Sequence, residues 1–147
     1  MSPRPLVLVA DDDPDILLLI TVTLERDGYD VVTAKDGPSA LEAAAERMPH
    51  LVVLDLMMPG LDGYDVTRRL RGEQVTKDVP IVIVTAAAEE HQAARALETG
   101  ADAYMKKPFS PRELLTRTAA LILEPLVQCA AGMAMLGSSS HCSWRPQ

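Results

Sequence analysis

Five residues of this chain have the types and the placement to do chemistry together: Asp11, Asp12, Asp55, Thr85 and Lys107. Each ends or closely follows a short apolar run. Leu6 to Ala10 precedes the two acids, Leu51 to Leu54 precedes Asp55, Val79 to Val84 precedes Thr85, and Ala101 to Met105 stands just before Lys107. Carboxylates about 4 Å apart repel by about 4 kcal/mol at an effective dielectric of roughly 20, so three acids drawn to one place need a compensating cation. Hard oxygen ligands, a backbone carbonyl and several waters suit Mg²⁺, and Lys107 supplies further positive charge. A carboxylate beside Mg²⁺ and an ammonium is suited to accept a phosphoryl group, because both cations neutralise charge on the transferring oxygens. The Thr85 hydroxyl can then donate to the new acyl phosphate, whose added charge can draw Thr85 and its loop inward. Taken singly, each residue has a plainer reading. Asp55 followed by Pro59-Gly60 can simply start a turn, and Asp11 and Asp13 can be helix-cap acids.

What decides is whether the chain folds so that these residues meet. Leu51-Val52-Val53-Leu54 is an uninterrupted apolar run, the signature of a strand buried on both faces, and the runs before Asp11, Thr85 and Lys107 read the same way. Between them lie helices. Asp13-Pro14 is an N-cap and first helical residue, followed by Ile16, Leu17, Ile20 and Leu24 at helical spacing up to Gly28. Tyr29 to Ala34 is a short second strand. Gly37-Pro38 opens a helix with Ala40, Leu41, Ala44, Ala45 and Met48 on one face, ended by Pro49. Asp62 caps a third helix with Tyr64, Val66 and Leu70 inward and Gly72 as its stop, and Glu73 to Asp78 is a polar loop. Glu89 to Thr99 is a weakly amphipathic fourth helix closed by Gly100. Ser110-Pro111-Arg112-Glu113 is a capping box opening a fifth, with Leu114, Leu115, Thr118, Leu121 and Ile122 at core spacing. Five strands alternating with five helices predict a doubly wound α/β domain with a parallel sheet over about Leu6 to Leu123. In such a sheet the carboxyl ends share one rim, where ligands bind.

Length and composition agree. At 147 residues the chain suits one domain, and with 48% hydrophobic but only 3% aromatic residues its core must be aliphatic. A net charge of -7 argues against a nucleic-acid-binding surface and favours cations as ligands. The first ten residues are too short and too soon interrupted by acids for a signal peptide or membrane span, which predicts a cytoplasmic protein with no membrane partner. Cys129 and Cys142 both lie near the C-terminus, away from these motifs, and suggest neither a disulfide framework nor a metal site. From Glu124 the pattern changes: Pro125 interrupts the last helix, Gly132 breaks a mildly apolar stretch, and Gly137 to Gln147 is Ser-rich. Residues 1–123 therefore read as one domain and 124–147 as a partly disordered tail, a short helical extension, an interaction segment or a truncation remnant, with no output domain in view.

These residues and their spacings resemble the receiver domains of two-component response regulators, of the chemotaxis-regulator kind. The acid pair looks like Asp11-Asp12 and the phosphoacceptor like Asp55, within Asp-Leu-Met-Met-Pro-Gly-Leu-Asp-Gly. Thr85, followed by small Ala86, looks like the switch hydroxyl, and Lys107 in Lys-Pro-Phe like the lysine. The resemblance implies a flavodoxin-like fold with strand order 2-1-3-4-5. It implies that Asp12, Asp55 and the Met57 carbonyl ligate Mg²⁺ directly while Asp11 acts through water, that Tyr104 is the switch aromatic, and that the Lys107–Pro108 peptide is cis. The phosphoryl donor would be a histidine kinase or phosphotransfer protein, and the only catalysis self-phosphorylation and autodephosphorylation. A downstream protein partner would dock on the face of the fourth helix, fifth strand and fifth helix, where Arg95, Asp102, Glu113 and Arg117 could also pair in a homodimer. Met57 and Ala87 occupy the two positions that vary and tune phosphoryl lifetime in this family.

Two other readings compete. The chain can be the N-terminal receiver of a larger regulator, a DNA-binding transcription factor or a hybrid kinase. It can also be a haloacid-dehalogenase-like phosphatase using Asp11 and Asp13, although Asp15 stands where that pattern expects Thr or Val and no cap insertion follows.

Overall fold

The computed structural model describes residues 4–86 and 98–122. Within them lie strands β1 (Leu6–Ala10), β2 (Asp30–Ala34), β3 (Leu51–Asp55), β4 (Ile81–Thr85) and β5 (Ala103–Lys106), with helices α1 (Pro14–Arg26), α2 (Gly37–Arg47) and α3 (Gly63–Gly72). Residues 111–122 are also helical. The five strands form one parallel sheet in the order β2-β1-β3-β4-β5, as expected. Of the five helices expected, the fourth falls almost wholly outside the described residues, as do the tail from residue 123, Arg95 and Ala87.

Period-two alternation sorts the strand side chains onto the two faces. Leu8, Val52, Leu54, Ile81 and Ile83 pack with Ala40, Ala44, Tyr64, Val66 and Leu70 of α2 and α3. Val7, Val9, Leu51, Val53, Val82 and Val84 pack with Leu17, Ile20 and Leu24 of α1 and with Leu114 and Ile122. β3 is buried at every position, which is why its sequence runs apolar without alternation.

Several strand starts shift from expectation because backbone hydrogen bonds claim the flanking residues. The Tyr29 N–H donates to Leu24 O, closing α1, so β2 begins at Asp30. Gly28, at φ +99°, makes the turn that this closure needs. The Val79 N–H donates to Thr76 O, and the Asp102 N–H reaches Ile81 O from outside the ladder, so β4 starts at Ile81 and β5 at Ala103. Among the described residues no helix is long and apolar enough to cross a membrane.

The chain runs from β1 outward to β2, then returns past β1 to β3. The reversal opens a crevice between the carboxyl ends of β1 and β3, the place where open α/β sheets bind ligands. Asp11 and Asp55 stand on its two sides.

Candidate functional site

Parallel pairing fixes the rim. Asp11 directly follows β1, Asp55 ends β3, Thr85 ends β4 and Lys107 directly follows β5. The ladder itself extends to these positions: the Asp11 N–H donates to Ala34 O at 3.1 Å, Leu56 N–H to Val84 O at 2.9 Å, and Lys107 N–H to Thr85 O at 2.8 Å. Each chemical group is thereby tied to a neighbouring strand and not carried on a free loop.

Asp11 is buried, and its two carboxylate oxygens are separately engaged. Oδ1 accepts the Asp13 N–H at 2.9 Å and Oδ2 accepts Lys107 Nζ at 2.9 Å. Asp13 in turn caps α1, its side chain accepting the Asp15 N–H. Asp55 is 6% exposed; its Oδ1 lies 3.5 Å from Lys107 Nζ and 3.4 Å from the Met57 nitrogen that donates to it. Asp12 is exposed. Oxygens of Asp11, Asp12 and Asp55 all lie within 4.8 Å of one another, a grouping that can hold a metal ion. The donor set consists of hard carboxylate oxygens, one at the solvent edge and two recessed, which fits a hydrated hard cation.

Burial and charge act together on this pocket. Desolvation, with the Asp11 charge second, pushes the Asp55 carboxyl up to about 6, and the nearby Lys107 ammonium and the Met57 N–H do not reverse it. Burial would lower Lys107, but its hydrogen bond to Asp11 and the charges of Asp55 and Asp11 prevail, so its pKa is raised and the ammonium is secure. The Lys107–Pro108 peptide is cis, as expected.

The rim also depends on a close approach of backbone. A Cβ on Gly63, the first residue of α3, would lie 3.0 Å from both Asp55 O and Leu56 Cα, so glycine lets the helix start this near the end of β3 without displacing that backbone. Its N–H donates to Leu56 O at 2.8 Å, and Asp62 caps the helix by accepting the Asp65 N–H.

Thr85 is buried at the end of β4, laterally paired with Lys106. It shares a sheet face with Ile83, whose lateral partner is the half-buried Tyr104. Met57 is 71% exposed at the mouth of the pocket. The structure thus brings Asp11, Asp12, Asp55 and Lys107 into direct proximity and sets Thr85 and Tyr104 on the adjoining strands. Sequence reasoning overlooked Asp36, which caps α2 by accepting the Ser39 N–H. Its place just before Gly37-Pro38 was the available signal. Asp102, one of the residues that could pair in a homodimer, also accepts from Arg71 within the chain at 2.8 Å while its side chain stays 42% exposed.

Comparison with known proteins matches residues 7–119 to the family described as response regulator receiver domain. The alkaline phosphatase synthesis transcriptional regulatory protein PhoP of Bacillus subtilis is 47% identical over 116 residues, covering 79% of this chain and 48% of that protein. The phosphate regulon transcriptional regulatory protein PhoB of Pseudomonas aeruginosa is 41% identical over 116 residues, covering 79% and 51%. The chain spans about half the length of these curated relatives. Among solved structures, the receiver domain of the Francisella response regulator 1452 superposes with a TM-score of 0.78 at 36% identity, over 82% of this chain and 98% of that one.

Proposed function

This chain belongs to the response regulator receiver domain family, and from that membership and the pocket geometry we propose that Asp55 is a phosphoacceptor whose modification switches partner binding through Thr85 and Tyr104. The observation that carries the reading is the position of Lys107 Nζ, 2.9 Å from Asp11 and 3.5 Å from Asp55, beside three converging carboxylates.

An Asp55 oxygen attacks the phosphorus of a phosphohistidine on a histidine kinase or phosphotransfer protein. The P–N bond breaks, its electron pair leaves with the imidazole, and an acyl phosphate forms. Lys107 offers its ammonium to the phosphoryl oxygens as charge develops, while Asp11 holds that ammonium in place. Asp12, Asp55 and the Met57 carbonyl would bind Mg²⁺, with Asp11 acting through water. The bound ion would supply charge neutralisation at the transferring phosphoryl. The Thr85 hydroxyl donates to the new phosphoryl oxygen, and Tyr104 follows Thr85 inward. Hydrolysis returns the carboxylate: water attacks phosphorus and the Asp55–phosphoryl bond breaks. Beyond these two steps the domain catalyses nothing.

Beryllofluoride with Mg²⁺ tests the reading. The expected result is saturable binding that shifts Thr85 and Tyr104 resonances and disappears in Asp55→Asn; a parent protein that gives no response refutes it. A second reading is favoured by the match covering only 48% and 51% of these relatives: residues 1–123 are the receiver of a larger regulator, a DNA-binding transcription factor or a hybrid kinase, joined onward through residues 124–147. The genomic frame beyond Gln147 decides this, an output domain supporting it and an immediate stop contradicting it. In the first reading the downstream partner is a protein docking on the face expected of the fourth helix, β5 and residues 111–122.

A further inference from the structure

On the rim opposite Asp55, one guanidinium gathers the approaches to β4 and β5. Arg71, at the C-terminal end of α3, donates from Nε to Gly100 O at 2.9 Å and from Nη1 to Lys77 O and Val79 O. Its Nη2 donates to Asp102 Oδ2 at 2.8 Å. That same carboxylate oxygen accepts the Ile81 N–H at 2.8 Å, and the Asp102 N–H donates back to Ile81 O at 2.8 Å. Gly100, at φ +112°, clears room for this: a Cβ there would lie 3.0 Å from the Arg71 side chain. The Arg71 side chain is only 22% exposed. An exposed ion pair alone would contribute little, but here a planar fork with fixed donor directions satisfies three backbone carbonyls and a carboxylate at once.

The strands so joined carry the switch. Asp102 is two residues before Tyr104, and Tyr104 is laterally paired with Ile83, two residues before Thr85. β5 has four residues and, among the described residues, pairs only with β4. Such a short edge strand has few ladder bonds of its own to hold its register. We propose that Arg71 is a positioning residue for the switch: by fixing the first residues of β5 against those of β4, it makes Tyr104 follow a movement of Thr85 at the opposite end. Without this anchor the displacement of Thr85 is absorbed by slippage between the two strands. The inference rests on the reading of Thr85 and Tyr104 as the responding pair, and it adds a residue far from the acid pocket.

The test compares the parent chain with Arg71→Gln, each saturated with beryllofluoride and Mg²⁺, reading the Thr85 methyl and Tyr104 ring resonances separately. The expected result is parent-like affinity and a parent-like Thr85 shift in the variant, with the Tyr104 shift reduced to less than half. A Tyr104 shift of parent size overturns the inference, as does loss of beryllofluoride binding in a folded Arg71→Gln chain, which would assign Arg71 to the pocket. If Arg71→Gln does not fold, Arg71→Lys carries the comparison: it keeps the charge but not the fork, and a full Tyr104 response there also overturns the inference. Failure of the parent itself to respond would instead refute the phosphoacceptor reading.

Discussion

Asp55 is expensive to keep ionised in this fold until a cation joins it, and that has a measurable consequence. Its carboxyl rises from the ordinary 3.8 to about 6, chiefly through burial and then through the Asp11 charge. The folded state therefore holds a proton that the unfolded chain has already released, and the contribution of Asp55 to stability falls as pH climbs through that window. In metal-free buffer, Asp55→Asn should unfold at about the same temperature as the parent near pH 4, and at a higher temperature at pH 7.5. Thermal melts at the two pH values check this, and an equal difference at both would contradict it. Protons compete with metal for the same oxygens, so Mg²⁺ affinity should weaken as pH falls through about 6. Lys107 opposes the rise at Asp55, and Lys107→Ala should push the Asp55 titration still higher, read from its carboxyl carbon resonance. The residues of this pocket were legible in the sequence because each ends or follows an apolar run. Their chemical types then limited what a shared rim could do.

Secondary-structure elements were legible where a single physical signal dominated. β1 is apolar throughout and β3 is apolar up to its terminal Asp55, and α1 and α3 open on Asp caps that the sequence displays. The starts of β2, β4 and β5 were not legible, because Tyr29, Val79 and Asp102 look like strand residues but spend their N–H groups on turns and crossings that only the tertiary structure supplies. Arg71 was hidden for a related reason: a cation in a helix's last turn reads as a favourable match to the helix dipole, and nothing local reveals three carbonyls arriving from elsewhere. Gly63 tests how far element placement controls the site. Gly63→Ala puts a methyl 3.0 Å from Asp55 O, and should cost about 1–3 kcal/mol in urea unfolding while weakening Mg²⁺ binding. Asp36→Ala removes the α2 cap at a cost of about 1 kcal/mol and should weaken Mg²⁺ binding less than Gly63→Ala does, since the Asp36 carboxylate accepts the Ser39 N–H and is not one of the three converging acids. Equal effects of the two variants on Mg²⁺ binding would contradict this division.

At the scale of the whole molecule, the arrangement is a rigid sheet with a polar pocket at one rim and the Arg71 anchor at the other. The acids come from β1 and β3, the hydroxyl from β4 and the ammonium from beyond β5, so no fragment of the fold contains the site, and the pocket should report on global folding. A ligand that binds only the native state raises its stability, by about 2.7 kcal/mol at a hundredfold excess over Kd; saturating Mg²⁺ should accordingly raise the melting temperature of the parent and raise that of Asp55→Asn less. The central claim is that these groups make Asp55 an acceptor of phosphoryl groups. The most direct measurement is to treat the protein with acetyl phosphate and Mg²⁺, trap any acyl phosphate by borohydride reduction, and locate the reduced residue by peptide mass spectrometry. The account predicts one Mg²⁺-dependent reduction site, at residue 55, absent from Asp55→Asn. Trapping at a different carboxylate, or an unchanged yield in Asp55→Asn, would contradict it.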